Sequence, residues 1–208
     1  MFPKLFIFIN SIPFMLDLEL SFEELKSLHI AKHLLIPINA DIDKFKSKIE
    51  KLKFPVWIKL NSSLHKTKLK AIKKCYSFEQ LKEAHEHFKK QFSGSKFIVQ
   101  ENVEGIEVIA GIKHDKTFGK ILLIGSGGIF TETIKDIEIR ILPVEKEEIL
   151  SALKQLKIYK ILEEKNANIL KLVSLISDFS KLEIKEADLN PIIVNEKDAI
   201  VVDARVEI

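Results

Sequence analysis

Apolar positions along the chain follow two rhythms, and the change between them falls near Ser93. Ahead of it the spacing is mostly helical. Ser21-Phe22-Glu23-Glu24 has the form of a capping box, in which a serine side chain takes an amide three residues on and a glutamate returns the bond. It predicts a helix to about His33 with Leu25, Leu28 and Ala31 inward. Ile42, Phe45, Ile49 and Leu52 recur at the spacing of a second helix. Pro55 restarts the chain as a strand over 56–60, and Ser77-Phe78-Glu79-Gln80 opens a third helix carrying Phe78, Leu81, Ala84, Phe88 and Phe92 on one side.

After Ser93-Gly94-Ser95 the apolar runs shorten and are bounded by glycines or charges, which predicts strands over 97–100, 107–112 and 121–124. Ile137-Glu138-Ile139-Arg140-Ile141 alternates as a half-buried strand does. Two helices, 146–156 and 168–182, and two strands, 192–194 and 199–202, complete the chain. The pattern reads as α+β with a boundary near Ser93, giving units 1–93 and 94–208; residues 1–19 form an extra N-terminal segment.

Met1 to Leu16 is apolar apart from Lys4, but Pro3 and Pro13 interrupt it. Asp17 and Glu19 stand where a secretory signal would carry small residues, and the run is too short to span a bilayer. A buried strand over 5–9 is the expectation. The single Cys75 cannot form an internal disulfide and fits a structural role in a reducing, cytoplasmic setting. The net charge of +3 is unevenly spread: residues 44–74 hold eleven lysines against Glu50 alone, a local +10 that leaves −7 for the remainder. A basic part facing an acidic part fits an anion held between two lobes with a cation on the acidic side. A solvated lysine face explains many of the same residues, and binding of nucleic acid is a third reading of this stretch, weakened by its few aromatics.

Several residue types suit phosphoryl chemistry. Lys59 ends an otherwise apolar strand and can place an ammonium on phosphate oxygens, or lie on an edge. His65, in a loop flanked by serine and lysine, can accept a phosphoryl group or simply face solvent. Gln100, Glu101 and Val103 lie where a strand leaves one lobe and could offer backbone donors and acceptors to a base; Glu107 follows as a carboxylate for ribose hydroxyls. Gly125-Ser126-Gly127-Gly128 lets amides approach an anion, or makes a tight hairpin turn. It lacks the Gly-Lys-Ser/Thr ending of a P-loop and the spacing of a dinucleotide fingerprint. Asn190 and Asp203 each close a predicted strand or turn, where a hairpin would bring them together as hard oxygen ligands for Mg2+; an Asx turn and a surface acid are the plainer alternative.

In this order the chain carries Phe54-Pro55-Val56-Trp57-Ile58-Lys59, Leu64-His65-Lys66-Thr67, Val99-Gln100-Glu101, Glu107 to Lys113, Phe118-Gly119, Gly125 to Phe130, Lys135-Asp136, Asp188-Leu189-Asn190-Pro191 and Val202-Asp203-Ala204-Arg205. The ordered set resembles the ATP-grasp (beta) subunit of ADP-forming acyl-CoA synthetases, the acetate–CoA ligase (ADP-forming) family, from about Leu20 to the C-terminus. The resemblance implies an ATP-grasp fold, two α+β subdomains with a nucleotide cleft between them. It implies a ligase interconverting acyl-CoA, ADP and phosphate with acid, CoA and ATP, working with a CoA-binding alpha subunit in a hetero-oligomer. By the same resemblance Lys59, Gln100, Glu101, Val103, Glu107, Gly127 and Gly128 would bind ATP or ADP, and Asn190 and Asp203 would hold Mg2+. His65 would relay the phosphoryl group and Arg205 would neutralise it in transfer. The chain departs from the family after His65, where Ser-Asp-Val-Gly-Gly-Val is replaced by Thr67-Lys68-Leu69-Lys70-Ala71-Ile72. That change keeps a second outcome open, a non-catalytic ATP-grasp paralogue that binds nucleotide or the alpha subunit in a regulatory role.

Overall fold

A computed structural model describes residues 15–37, 39–62, 71–92, 96–128 and 136–207. The strand expected over 5–9 lies outside them. Two sheets organise the chain. The first is four-stranded, in the order β1 (His33–Ile36), β4 (Phe97–Glu101), β2 (Val56–Leu60) and β3 (Ile72–Cys75), all antiparallel. The second runs β10 (Ala204–Glu207), β8 (Glu186–Val194), β5 (Ile106–Asp115), β6 (Gly119–Ser126) and β7 (Ile137–Ile141), with β9 (Ala199–Val201) also paired to β8. β4 follows residue 94 in sequence yet sits inside the first sheet, between β1 and β2.

Each sheet has its own core. Ile36, Ile49, Val56, Ile58, Leu81, Phe88, Phe97 and Val99 pack the first sheet against α2 (Lys46–Glu50) and α3 (Phe78–Gln91). Buried Cys75 belongs to the same cluster, and burial pushes its thiol up to about 11, which keeps it protonated and unreactive. The larger core joins Val108, Ala110, Ile112, Leu122 and Ile124 to α4 (Lys146–Gln155), α5 (Ile158–Glu164) and α6 (Ile169–Ser180). Ile98 of β4 also belongs to this larger core and Leu35 of β1 packs against it, so two strands of the first sheet touch both cores. No helix among the described residues is long and apolar enough to cross a membrane.

Several elements differ from the sequence expectation. The first helix, α1, is Leu18–Glu24; its cap is Asp17, whose side chain accepts the Leu20 amide, and it ends at Leu25. Leu25 and Leu28 are buried as expected, but through a turn, and His33 opens β1. Segment 42–50 begins as a 3₁₀ turn (Ile42–Phe45) before α2, while α3 keeps its Ser77 cap on the Gln80 amide. A third C-terminal helix, α5, was not anticipated. Asp136 places its start: its carboxylate accepts the amides of Lys157 and Ile158 and the Ser126 hydroxyl. Burial opposes the charge, but those donors hold the carboxyl below its ordinary value.

Candidate functional site

Strand alternation decides which side chains face the space between the sheets. On β2, Val56, Ile58 and Leu60 fill the smaller core, so Trp57 and Lys59 take the other face. On β8, Ala187 and Leu189 enter the larger core and leave Asp188 and Asn190 opposite; on β10, Arg205 stands across from Asp188 while Ala204 and Val206 point inward. Val202 and Asp203 form the break between β9 and β10, both of which pair with β8. At that break the Asn190 amide donates to the Asp203 carbonyl at 3.0 Å and the Val202 amide to the Pro191 carbonyl at 3.2 Å. Asn190 thus lies within a nine-residue strand, not at a strand end, and its partner residue is supplied by an interruption of the neighbouring one.

These faces enclose a cavity of about 380 Å³. Its wall holds Lys59, Gln100, Glu101, Val103 and Glu107 on one side of the chain's order and Asn190, Asp203 and Arg205 on the other. Gly127 and Gly128 are not among the lining residues. The Gly127 amide is committed to the Glu107 carbonyl at 2.8 Å, so it backs Glu107 and extends the β5–β6 pairing. His65 lies outside the described residues.

Lys59 is 4% exposed, and its ammonium donates to Gln100 Oε1 at 2.6 Å and to the Val202 carbonyl at 2.7 Å. It therefore ties the first sheet to the β9–β10 break of the second. Gln100 is buried, and its Nε2 has no acceptor among the described residues. A buried amide donor on a cavity wall calls for an acceptor from whatever enters the cavity. The Glu101 carboxylate takes the Lys32 amide at 2.8 Å, which fixes the approach of the chain to β1.

In the sequence, Asp188 stands beside Leu189-Asn190-Pro191 with no distinct role of its own. The structure sets it in the cavity wall, facing Arg205. Burial pushes its carboxyl up to about 6; Arg205 pulls the other way and Asp203 adds to the rise. Its available signal was spacing, since residues two apart on a strand share a face and Asn190 was already a candidate. With the folded carboxyl near 6 and the ordinary value 3.8, the folded state holds the proton more tightly, so this group's contribution to stability falls as pH rises from about 4 to 6. Asp188→Asn is expected to raise the thermal midpoint of the ligand-free protein at pH 7.5 and to leave it nearly unchanged at pH 4, as scanning calorimetry at the two pH values would show.

Asn190, with an amide oxygen, and Asp203, with a carboxylate, line the same cavity and are hard-oxygen donors of the kind Mg2+ takes. Among the described residues no group of three or more His, Cys, Asp or Glu could hold a metal by itself. The remaining positions would come from phosphate oxygens and water, the usual arrangement for this ion.

A family model described as an ATP-grasp domain matches residues 37–208. The chain belongs to the ATP-grasp family. It is 36% identical over 180 residues to the beta subunit of acetate–CoA ligase [ADP-forming] II of Pyrococcus furiosus, covering 76% of each chain. To the corresponding beta subunit of ligase I from the same organism it is 43% identical over 110 residues, 49% of this chain and 47% of that one. The match thus spans about half the length of that relative. A solved ATP-grasp neighbour, dinucleotide-forming acetyl-coenzyme A synthetase 1 of Ca. Korarchaeum cryptofilum, superposes with a TM-score of 0.76 at 25% identity, covering 93% of both chains. It was determined with coenzyme A, acetyl-coenzyme A and a phosphorylated phosphohistidine segment. The two antiparallel sheets with their helices are the mixed α+β architecture of the ATP-grasp fold.

Proposed function

We propose that this chain is the nucleotide-binding beta subunit of an ADP-forming acyl-CoA synthetase. Mg-ADP or Mg-ATP enters the cavity between the sheets, and a phosphoryl group passes between the nucleotide and a CoA-binding alpha subunit. The observation that supports this most is the gathering, in one cavity, of a buried lysine, a strand-exit segment and an amide–carboxylate pair: Lys59, Gln100 to Val103, and Asn190 with Asp203. Lys59 would exchange one of its present acceptors for phosphate oxygen. Gln100 Nε2, without an acceptor among the described residues, would gain one from the nucleotide. The backbone of Glu101 and Val103 would meet the base edge and Glu107 the ribose hydroxyls, with Gly127 and Gly128 supporting Glu107 from behind.

Mg2+ would be held by Asn190 and Asp203 and would supply charge neutralisation at the transferring phosphate. Arg205, paired across the strands with Asp188, would offset the charge that accumulates there. His65 would accept the phosphoryl group from the partner and release it to ADP in the direction of ATP synthesis. The phosphohistidine segment and coenzyme A carried by the Korarchaeum relative support a phosphorelay of this kind. A cytoplasmic hetero-oligomer is the setting that follows.

Reconstitution with a CoA-binding alpha subunit tests the relay. In a coupled assay of ATP formation from acetyl-CoA, ADP and phosphate, His65→Asn is expected to reduce turnover at least about a thousandfold, because the covalent route is removed. Mg-ADP affinity should stay within about twofold, since no contact to the base or the metal is lost. Unchanged turnover would remove His65 from the relay and promote the non-catalytic paralogue.

A further inference from the structure

The chain has one tryptophan, and neither hydrophobic core includes it. Trp57 instead lines the cavity, two residues before Lys59 on the same face of β2. So large an apolar side chain is ordinarily drawn into a core. Here it is held in place by polar contacts. Its indole N–H donates to Asn102 Oδ1 at 2.9 Å, and the amide of Asn102 in turn donates to Glu104 at 3.3 Å. Across the strand pair, Trp57 stands opposite Lys74, whose ammonium lies 5.7 Å from the indole centroid and also 5.7 Å from the ring of Tyr76. Ile72 and Val103 continue the apolar wall beside it.

The same cavity is lined by Asp188, Asn190, Asp203 and Arg205 from the second sheet, and Lys59, two residues along β2 from Trp57, reaches the Val202 carbonyl beside them.

We propose that Trp57 is the stacking wall for the nucleobase, its indole oriented by the bond to Asn102. This rests on the nucleotide-binding reading above and adds to it the residue that recognises the base. A flat apolar face gives stacking energy to any purine, and the fixed indole keeps that face from rotating away. Trp57 is then a determinant of nucleoside over bare phosphate, a discrimination that Lys59 and the metal pair do not provide.

Calorimetric titrations of the full chain with Mg-ADP and with Mg-diphosphate, beside Trp57→Ala and Trp57→Phe, test it. Loss of a base-stacking partner is worth about 1–3 kcal/mol, so Trp57→Ala is expected to weaken ADP roughly fivefold to hundredfold. Trp57→Phe, which keeps a ring, should stay within about fivefold for ADP. Both variants should hold diphosphate, and their melting midpoints, close to the unaltered protein. The sole indole gives a second readout: ADP changes the emission of the unaltered protein saturably, and diphosphate does not. ADP affinity unchanged in Trp57→Ala, or ADP and diphosphate lost in parallel, would overturn the stacking role while leaving the nucleotide site standing. An unaltered protein that binds diphosphate but gains nothing from the nucleoside would overturn both.

Discussion

Lys59→Met is expected to weaken Mg-ADP binding roughly a hundredfold, about 3 kcal/mol at 1.4 kcal/mol per decade. The ammonium is nearly sealed from solvent and already aimed across the cavity, so a phosphate placed there gains a desolvated, charge-assisted bond without the cost of ordering a flexible side chain. Methionine retains the length and most of the apolar stem, which isolates the loss of charge. It also leaves Gln100 Oε1 and the Val202 carbonyl without this donor, so urea denaturation should show a loss of about 1–3 kcal/mol. The two effects separate experimentally, because titration well below the melting temperature reports binding to the folded protein alone. Affinity unchanged in the folded variant would mean that Lys59 is a tie between the sheets and nothing more.

The second large effect is expected at a residue that contacts no ligand. A Cβ added to Gly127 would lie 2.7 Å from the Glu107 carbonyl carbon and 2.8 Å from its oxygen, closer than real Cβ atoms come. The obstacle is backbone, and it cannot move aside cheaply: β5 is held on one side by β6 and on the other by β8. Gly127→Ala is therefore expected to cost about 3 kcal/mol or more in urea denaturation, at the upper end for overpacking a close contact. Because the displaced residue is Glu107, Mg-ADP affinity should fall as well, even in protein that remains folded. Gly128 makes the contrast. Its φ of +73° favours glycine, but an added Cβ there meets the Glu107 carboxylate oxygen at 2.9 Å, the end of a side chain that can rotate. A stability loss at Gly128 smaller than at Gly127 is the pattern this geometry requires.

Elements with one clean apolar face were legible before the structure. The strand Val56–Leu60 and the helix Phe78–Gln91 follow their periods because a single core sets each of them, whereas Ile137–Ile141 forms its strand with Ile139 and Ile141 exposed and outside both cores, so its alternation marks the strand but not a buried face. The elements that escaped detection have faces with conflicting duties. β8 reads as a strand only over Ile192 to Val194 because Asp188, Asn190 and Pro191 interrupt the apolar run, and the two polar residues are there because that face lines the cavity. Arg205 hides β10 for the same reason. β3, Ile-Lys-Lys-Cys, is an edge strand whose lysines break the pattern. At α1, the apparent capping box at Ser21 was misleading because Ser21 is buried inside the helix, and the aspartate four residues earlier does the capping.

The candidate site was more legible than the fold around it. Lys59, Gln100, Glu101, Val103, Glu107, Asn190, Asp203 and Arg205, scattered over much of the chain, line one cavity. Their residue types were distinctive against their apolar neighbours. Trp57 was not, since a tryptophan in an apolar strand looks like core until the two cores are seen to close without it. Asp188 was missed because its significance depends on Arg205 and Asp203, both brought to it by strand pairing rather than by sequence proximity.

Calorimetric titration of the purified protein with Mg-ADP, beside Asp203→Ala, tests the central claim most directly. The account predicts saturable one-to-one binding by the unaltered protein that is lost in the variant or when magnesium is withheld. Absence of binding by the unaltered protein, or binding that neither Asp203→Ala nor removal of magnesium disturbs, would contradict it.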